Sequence, residues 1–119
     1  MREVIRELKS RVGVRGALVL TPDGVVVASD LCDGLDAASV AALAGAAVGQ
    51  ALRAAAALSL GTTQRVTLSA DFGRLVFVPF EQFVLAVVTE PGLDLDLTLL
   101  EIAGPARRLR DLSKFDSPT

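Results

Sequence analysis

Apolar and polar positions change rhythm several times along this chain. Residues 3 to 12 follow a helical spacing: Val4, Ile5, Leu8 and Val12 share one face, while Arg2, Arg6, Glu7, Lys9 and Arg11 stay off it. Glu7 and Arg11 stand four apart, as a weak helical ion pair requires, and Gly13 is the expected stop. Val14 to Leu20 then reads as a strand. Thr21-Pro22-Asp23-Gly24 has proline set for the first bend and glycine for the exit of a tight turn, so Val25 to Ser29 returns as the second strand of a hairpin. Asp30 to Leu35 reads as a loop.

From Asp36 to Leu60 the pattern loses nearly all polarity. Alanine keeps its freedom on coiling, so the composition strongly favours a helix, with Asp36 as N-cap, Leu35 and Val40 as a hydrophobic staple and Gly61 as the close. After Asp36 only Ser39, Gln50, Arg53 and Ser59 are offered to water. A surface helix usually keeps one charged face, so this one must be covered on more than one side. At about 100° per residue, Val40, Leu43, Ala44, Ala47, Ala51, Ala55 and Leu58 form one arc, expected to face the core. Opposite lie Ala38, Ala42, Gly45, Ala46, Gly49, Arg53 and Ala56. Glycines in a helix interior cost about 1 kcal/mol each against alanine; close approach of another backbone is a reason to carry them. That backbone is either the same helix of a second subunit or a loop of the same chain.

Thr62 to Ala70 alternates, with Thr67 and Ser69 on one side and Val66, Leu68 and Ala70 on the other, as suits a strand with one wetter face or one at a sheet edge. Asp71-Phe72-Gly73 is a turn. Leu75 to Val78 and Phe83 to Val88 are continuous apolar runs, which belong to strands covered on both faces, with Pro79 at a strand end. Glu90-Pro91-Gly92 ends the sheet. A last helix is expected from Asp94 or Asp96, kinked or broken at Pro105, and residues 115 to 119 form a loose tail. The order is α-β-β-α-β-β-β-α: an α/β (α+β) domain over 1–114, with one five-stranded sheet between the long helix and two terminal ones.

Composition narrows the chemistry. The chain of 119 residues has no histidine and one cysteine, Cys32, which removes His-based catalysis and zinc sites. A lone cysteine forms no internal disulfide and fits a reducing, cytoplasmic compartment. The net charge of −2 and the absence of Trp and Tyr leave no footing for nucleic acid. The long helix is long enough for a bilayer, but Gln50 and Arg53 are costly there and charges interrupt any apolar run at the N-terminus; no membrane insertion is expected. There is no phosphate-binding G-x-x-x-x-G-K-[ST] loop. Asp23, Asp30, Asp33 and Asp36 lack the ligand spacing of an EF-hand and read as turn and cap residues. Catalytic, cofactor and metal residues are therefore expected to be none. Arg53 either reaches an acidic partner or projects into water over its own stem. Arg15, Arg65 and Arg74 read as solvated strand residues or an exposed basic rim.

The stretches VGVRGALVLTPDGVVVASD at residues 12 to 30 and GRLVFVPFEQFVLAVVTE at residues 73 to 90, with the alanine-rich helix between them, resemble the Roadblock (dynein light chain) family, and its short bacterial MglB-like members most. The resemblance implies a profilin- and longin-like fold and a homodimer in which the edge strand after the long helix pairs with its twin and the two long helices lie side by side. On this chain the pairing strand would be Thr62 to Ala70, with Val66 and Leu68, and the helix contact would involve Ala42, Gly45, Ala46, Gly49 and Arg53. The implied function is non-enzymatic: a scaffold or regulator of a Ras-like, MglA-like small GTPase, with partner-binding residues unspecified. The alternative is a profilin- or PAS-like ligand-sensing module, or a generic dimerisation module.

Overall fold

The computed structural model describes residues 2–80 and 82–91. The expected last helix, its break at Pro105, the domain limit at 114 and the tail lie outside the described residues. Two helices and five strands follow in the order α1 (Arg2–Lys9), β1 (Val14–Leu20), β2 (Val26–Leu31), α2 (Ala37–Ala57), β3 (Val66–Ala70), β4 (Gly73–Phe80) and β5 (Phe83–Thr89). The strands form one antiparallel sheet in the order β2-β1-β5-β4-β3. α1 lies on one face and α2 on the other, so the sheet sits between two cores, as its doubly apolar strands require. From Val84 to Val88 β5 is buried residue by residue.

Large and small side chains are divided between the layers of the α2-side core. The sheet supplies Leu18, Leu20, Phe77 and Val84; the helix supplies Ala41, Ala44 and Val48. Alanine on the helix lets its backbone settle close to bulky strand residues, which is dense packing with the volume on one side. By length and composition α2 is the one helix among the described residues that could cross a membrane; here Ala41, Ala44 and Val48 seat one stripe of it on the sheet.

Several boundaries move from their expected places. α1 ends at Lys9, not residue 12, because Gly13 adopts a left-handed conformation (φ 83°) and the chain turns through Arg11 to Val14. Val12 therefore leaves the apolar face and is almost fully exposed. The Glu7–Arg11 pair forms at 3.5 Å on the surface. β2 starts at Val26 and runs on to Leu31, because Leu31 pairs with Gly16. A Cβ at Gly16 would collide with the Leu31 side chain and lie 3.1 Å from its Cα, so a larger residue there would push Leu31 aside.

β3 begins at Val66, not Thr62. Its register with β4, Val66 opposite Phe77, would bring residue 64 opposite Pro79, and Pro79 has no N–H to offer a further strand. β4 itself extends from Gly73 to Phe80, with Pro79 beyond the end of β3 and bordered by β5 alone. Finally, Gly61 does not close α2. The left-handed residue is Ser59 (φ 57°), with Leu60 N–H donating to Ala55 O at 2.8 Å and Ser59 N–H to Ala56 O at 3.2 Å. This is the paired bond of a Schellman cap, made two residues before the glycine.

Candidate dimer interface

The hairpin turn and the helix start are fixed by short polar contacts. Thr21 N–H donates to Val25 O and Gly24 N–H to Thr21 O, both at 2.9 Å, and the Thr21 hydroxyl donates to Asp23. Gly24 sits at φ 93°. At the other end, Ser39 Oγ donates to Asp36 Oδ2 at 2.6 Å. That hydrogen bond holds the Asp36 carboxyl below the ordinary aspartate range. Asp36 has the extended backbone of an N-cap (φ −98°, ψ 117°) without a full capping hydrogen bond; the Ser39 hydroxyl is its main contact, and the backbone N–H groups of Ser39 and Ala38 add a smaller pull in the same direction. Two of the four clustered aspartates thus hold a turn and a helix start.

α2 does not bury the arc its apolar residues outline. The buried positions are Ala41, Ala44 and Val48, a rotation of roughly 60° from the expected core face at helical pitch. Val40, Ala47, Ala51 and Ala55 become half-buried. Leu43 and Leu58, expected in the core, are 64% and 68% exposed.

The two flanks of α2 then face opposite ends of the sheet. On one flank a Cβ at Gly45 would lie 3.4 Å from Pro22 O and 3.5 Å from Gly24 Cα. The close approach at Gly45 is made by the hairpin turn of the same chain. Gly49 has no such neighbour: a Cβ there would meet only the Arg53 guanidinium, at 3.6 Å. Ala42, Ala46 and Arg53 are exposed beside it.

The opposite flank faces β3. Ala51, Ala54 and Ala55 border a groove with Leu60 and the segment leading into Val66, and Val40 and Ala47 pack on the same core as Val66 and Leu75. Leu43 and Leu58 project from this flank. The wheel had put them together, and their exposure is the signal that sequence reasoning missed.

Among the described residues β3 is an edge strand, hydrogen-bonded to β4 alone. Val66 is half-buried and turned to the α2-side core. Leu68 shares that face but is 49% exposed. Thr67 and Ser69 point to the other side and are exposed. Nothing within Val66–Ala70 is charged or proline. One flank of α2 and one edge of the sheet therefore stand next to each other, both apolar, both open.

Residues 1–89 match the family model of the Roadblock/LC7 domain. The chain is 32% identical over 107 residues to the uncharacterized protein MJ1340 of Methanocaldococcus jannaschii, covering 90% of this chain and 94% of that one. Among solved structures it is similar to a Roadblock/LC7 domain from Streptomyces avermitilis, with a TM-score of 0.86, 22% identity, and 94% and 96% of the two chains covered. It is similar also to Myxococcus xanthus MglB, with a TM-score of 0.88, 16% identity, and 95% and 94% covered.

Proposed function

Because the chain belongs to the Roadblock/LC7 family, we propose that it acts as a homodimeric, non-enzymatic scaffold in the cytoplasm that binds a Ras-like, MglA-like small GTPase and alters its nucleotide state or location. The observation that supports the dimer is the adjacency of the bare β3 edge and the leucine-bearing flank of α2. A two-fold axis perpendicular to the sheet would pair β3 with its twin and bring the two α2 helices alongside on one face. Both exposed surfaces would be covered in one step, and an edge that otherwise invites aggregation would be used up. The helix contact would then run through Leu43, Ala47, Ala54 and Leu58 on the β3 side. Of the residues first expected there, Leu68 remains at the seam and Val66 behind it, while Gly45 packs on its own hairpin turn and Ala42, Ala46, Gly49 and Arg53 stay open on the other flank.

The alanines favour this reading over ligand sensing. Ala41 and Ala44 are fully buried against the sheet, so their small size brings helix and sheet together rather than leaving room between them. A capture experiment tests the GTPase proposal: small GTPases of the same organism, loaded with GDP or a GTP analogue, are passed over the immobilised chain. Retention that depends on the nucleotide is expected for at least one; no nucleotide-dependent retention of any would overturn it.

A further inference from the structure

We propose that the two copies meet about an axis at Leu68, so that Phe72 of each fills the groove between α2 and β3 of the other and Asp71 of each faces the partner's Arg65. This rests on the homodimer proposed above and adds its register. Around a two-fold axis between identical antiparallel strands one residue faces itself, and Leu68 is the middle of Val66–Ala70. Counting outward, Val66 then faces Ala70, and just past the strand ends Arg65 comes beside the turn residue Asp71 and Gln64 beside Phe72. A register shifted one residue either way sets Arg65 against Ser69 or Gly73, with no charge to meet.

Charge supports this register. Arg65 and Asp71 are both exposed, and neither has a hydrogen bond or ion pair among the described residues. They flank the strand symmetrically with opposite sign, so a single pairing satisfies four charges in the dimer.

Shape supports it as well. Phe72 is 86% exposed, the most water-wetted large aromatic among the described residues, and at the β3–β4 turn it borders a shallow pocket with Leu68, Ala70, Asp71, Arg74 and Leu75. The groove lies on the α2 side of the same edge. It measures about 510 Å³ and is walled by Ala51, Ala54, Ala55 and Leu60 on one side and by the segment from Thr62 to Val66, Arg65 included, on the other.

The test uses the full chain and reciprocal charge reversal, with folding checked by circular dichroism. Arg65→Asp alone and Asp71→Arg alone each place like charges in both facing pairs, and each is expected to weaken the homodimer about tenfold in sedimentation equilibrium. An equimolar mixture of the two variants restores opposite charges in both pairs and is expected to form a heterodimer as tight as the wild type. Phe72→Ala is expected to weaken dimerisation about tenfold or more with the helical signal unchanged. If either reversal variant dimerises like the wild type, or the mixture does not recover, the register is refuted while the dimer stands. A wild-type chain that sediments as a monomer refutes the dimer itself.

Discussion

At one edge of the sheet β2 carries a bulge, its register with β1 jumping from Val19 opposite Ala28 to Leu20 opposite Val26, and it bears Asp30 opposite the inward Ala17. Helices pack on it from both faces. At the other edge β3 pairs with β4 in an unbroken register from Val66 to Ala70, carries no charge, and shows Leu68 to solvent. Bulges and inward charges are the devices by which a sheet refuses a further strand. β2 has them and β3 lacks them. The contrast identifies which edge this protein leaves open, and it is the edge that Leu43 and Leu58 of α2 overlook.

The largest effect should come from giving β3 what β2 already has. Leu68→Lys puts a charge on the open edge, and the dimer is expected to weaken about a hundredfold, read by sedimentation equilibrium, since a central apolar contact is lost twice. Ser29→Lys, an exposed position on β2, is expected to leave the association unchanged.

The same contrast can be sharpened between the flanks of α2. Gly45→Leu is expected to lower the unfolding free energy by about 1–3 kcal/mol in urea titration, because the new side chain meets the Pro22 and Gly24 backbone. Gly49→Ala is expected to do the reverse, raising stability by about 0.5–1 kcal/mol through helix propensity, since only the movable Arg53 guanidinium is near. Equal loss at both sites would mean that a second chain packs tightly on the glycine flank.

The smallest effect is at the start of α2. The Asp36 carboxyl is held below its unfolded value by the Ser39 hydroxyl. Its contribution is therefore present above the ordinary aspartate pKa and lost as pH falls through the lower folded value. The stability difference between the wild type and Asp36→Asn is expected to shrink between about pH 5 and about pH 2, followed by thermal melts. A difference that stays constant across that range would contradict the assignment.

How far these features could be read from residues depends on how local their causes are. The β1–β2 turn was legible because Thr21, Pro22, Asp23 and Gly24 carry its geometry among themselves. The central strands were legible because Leu75 to Val78 and Phe83 to Val88 admit no wet face. The rotation of α2 was not. A helix of alanines has little contrast around its circumference, and what turns it is the bulk of Leu18, Leu20 and Phe77 on distant strands. Its end was missed for a similar reason: the backbone bonds that place Ser59 in the left-handed region leave no mark on residue type, and Gly61 stood as a decoy. The edge character of β3 was visible in its alternation, while its late start depended on Pro79, across the sheet.

A cysteine placed on each edge tests the central claim most directly. With Cys32→Ser as background, Leu68→Cys is expected to give a disulfide-linked dimer under mild oxidation, because residues facing each other across antiparallel strands have Cβ atoms about 4.5–5.5 Å apart, while Ser29→Cys in the same background stays monomeric on a non-reducing gel. Cross-linking through Ser29→Cys and not through Leu68→Cys would contradict the account.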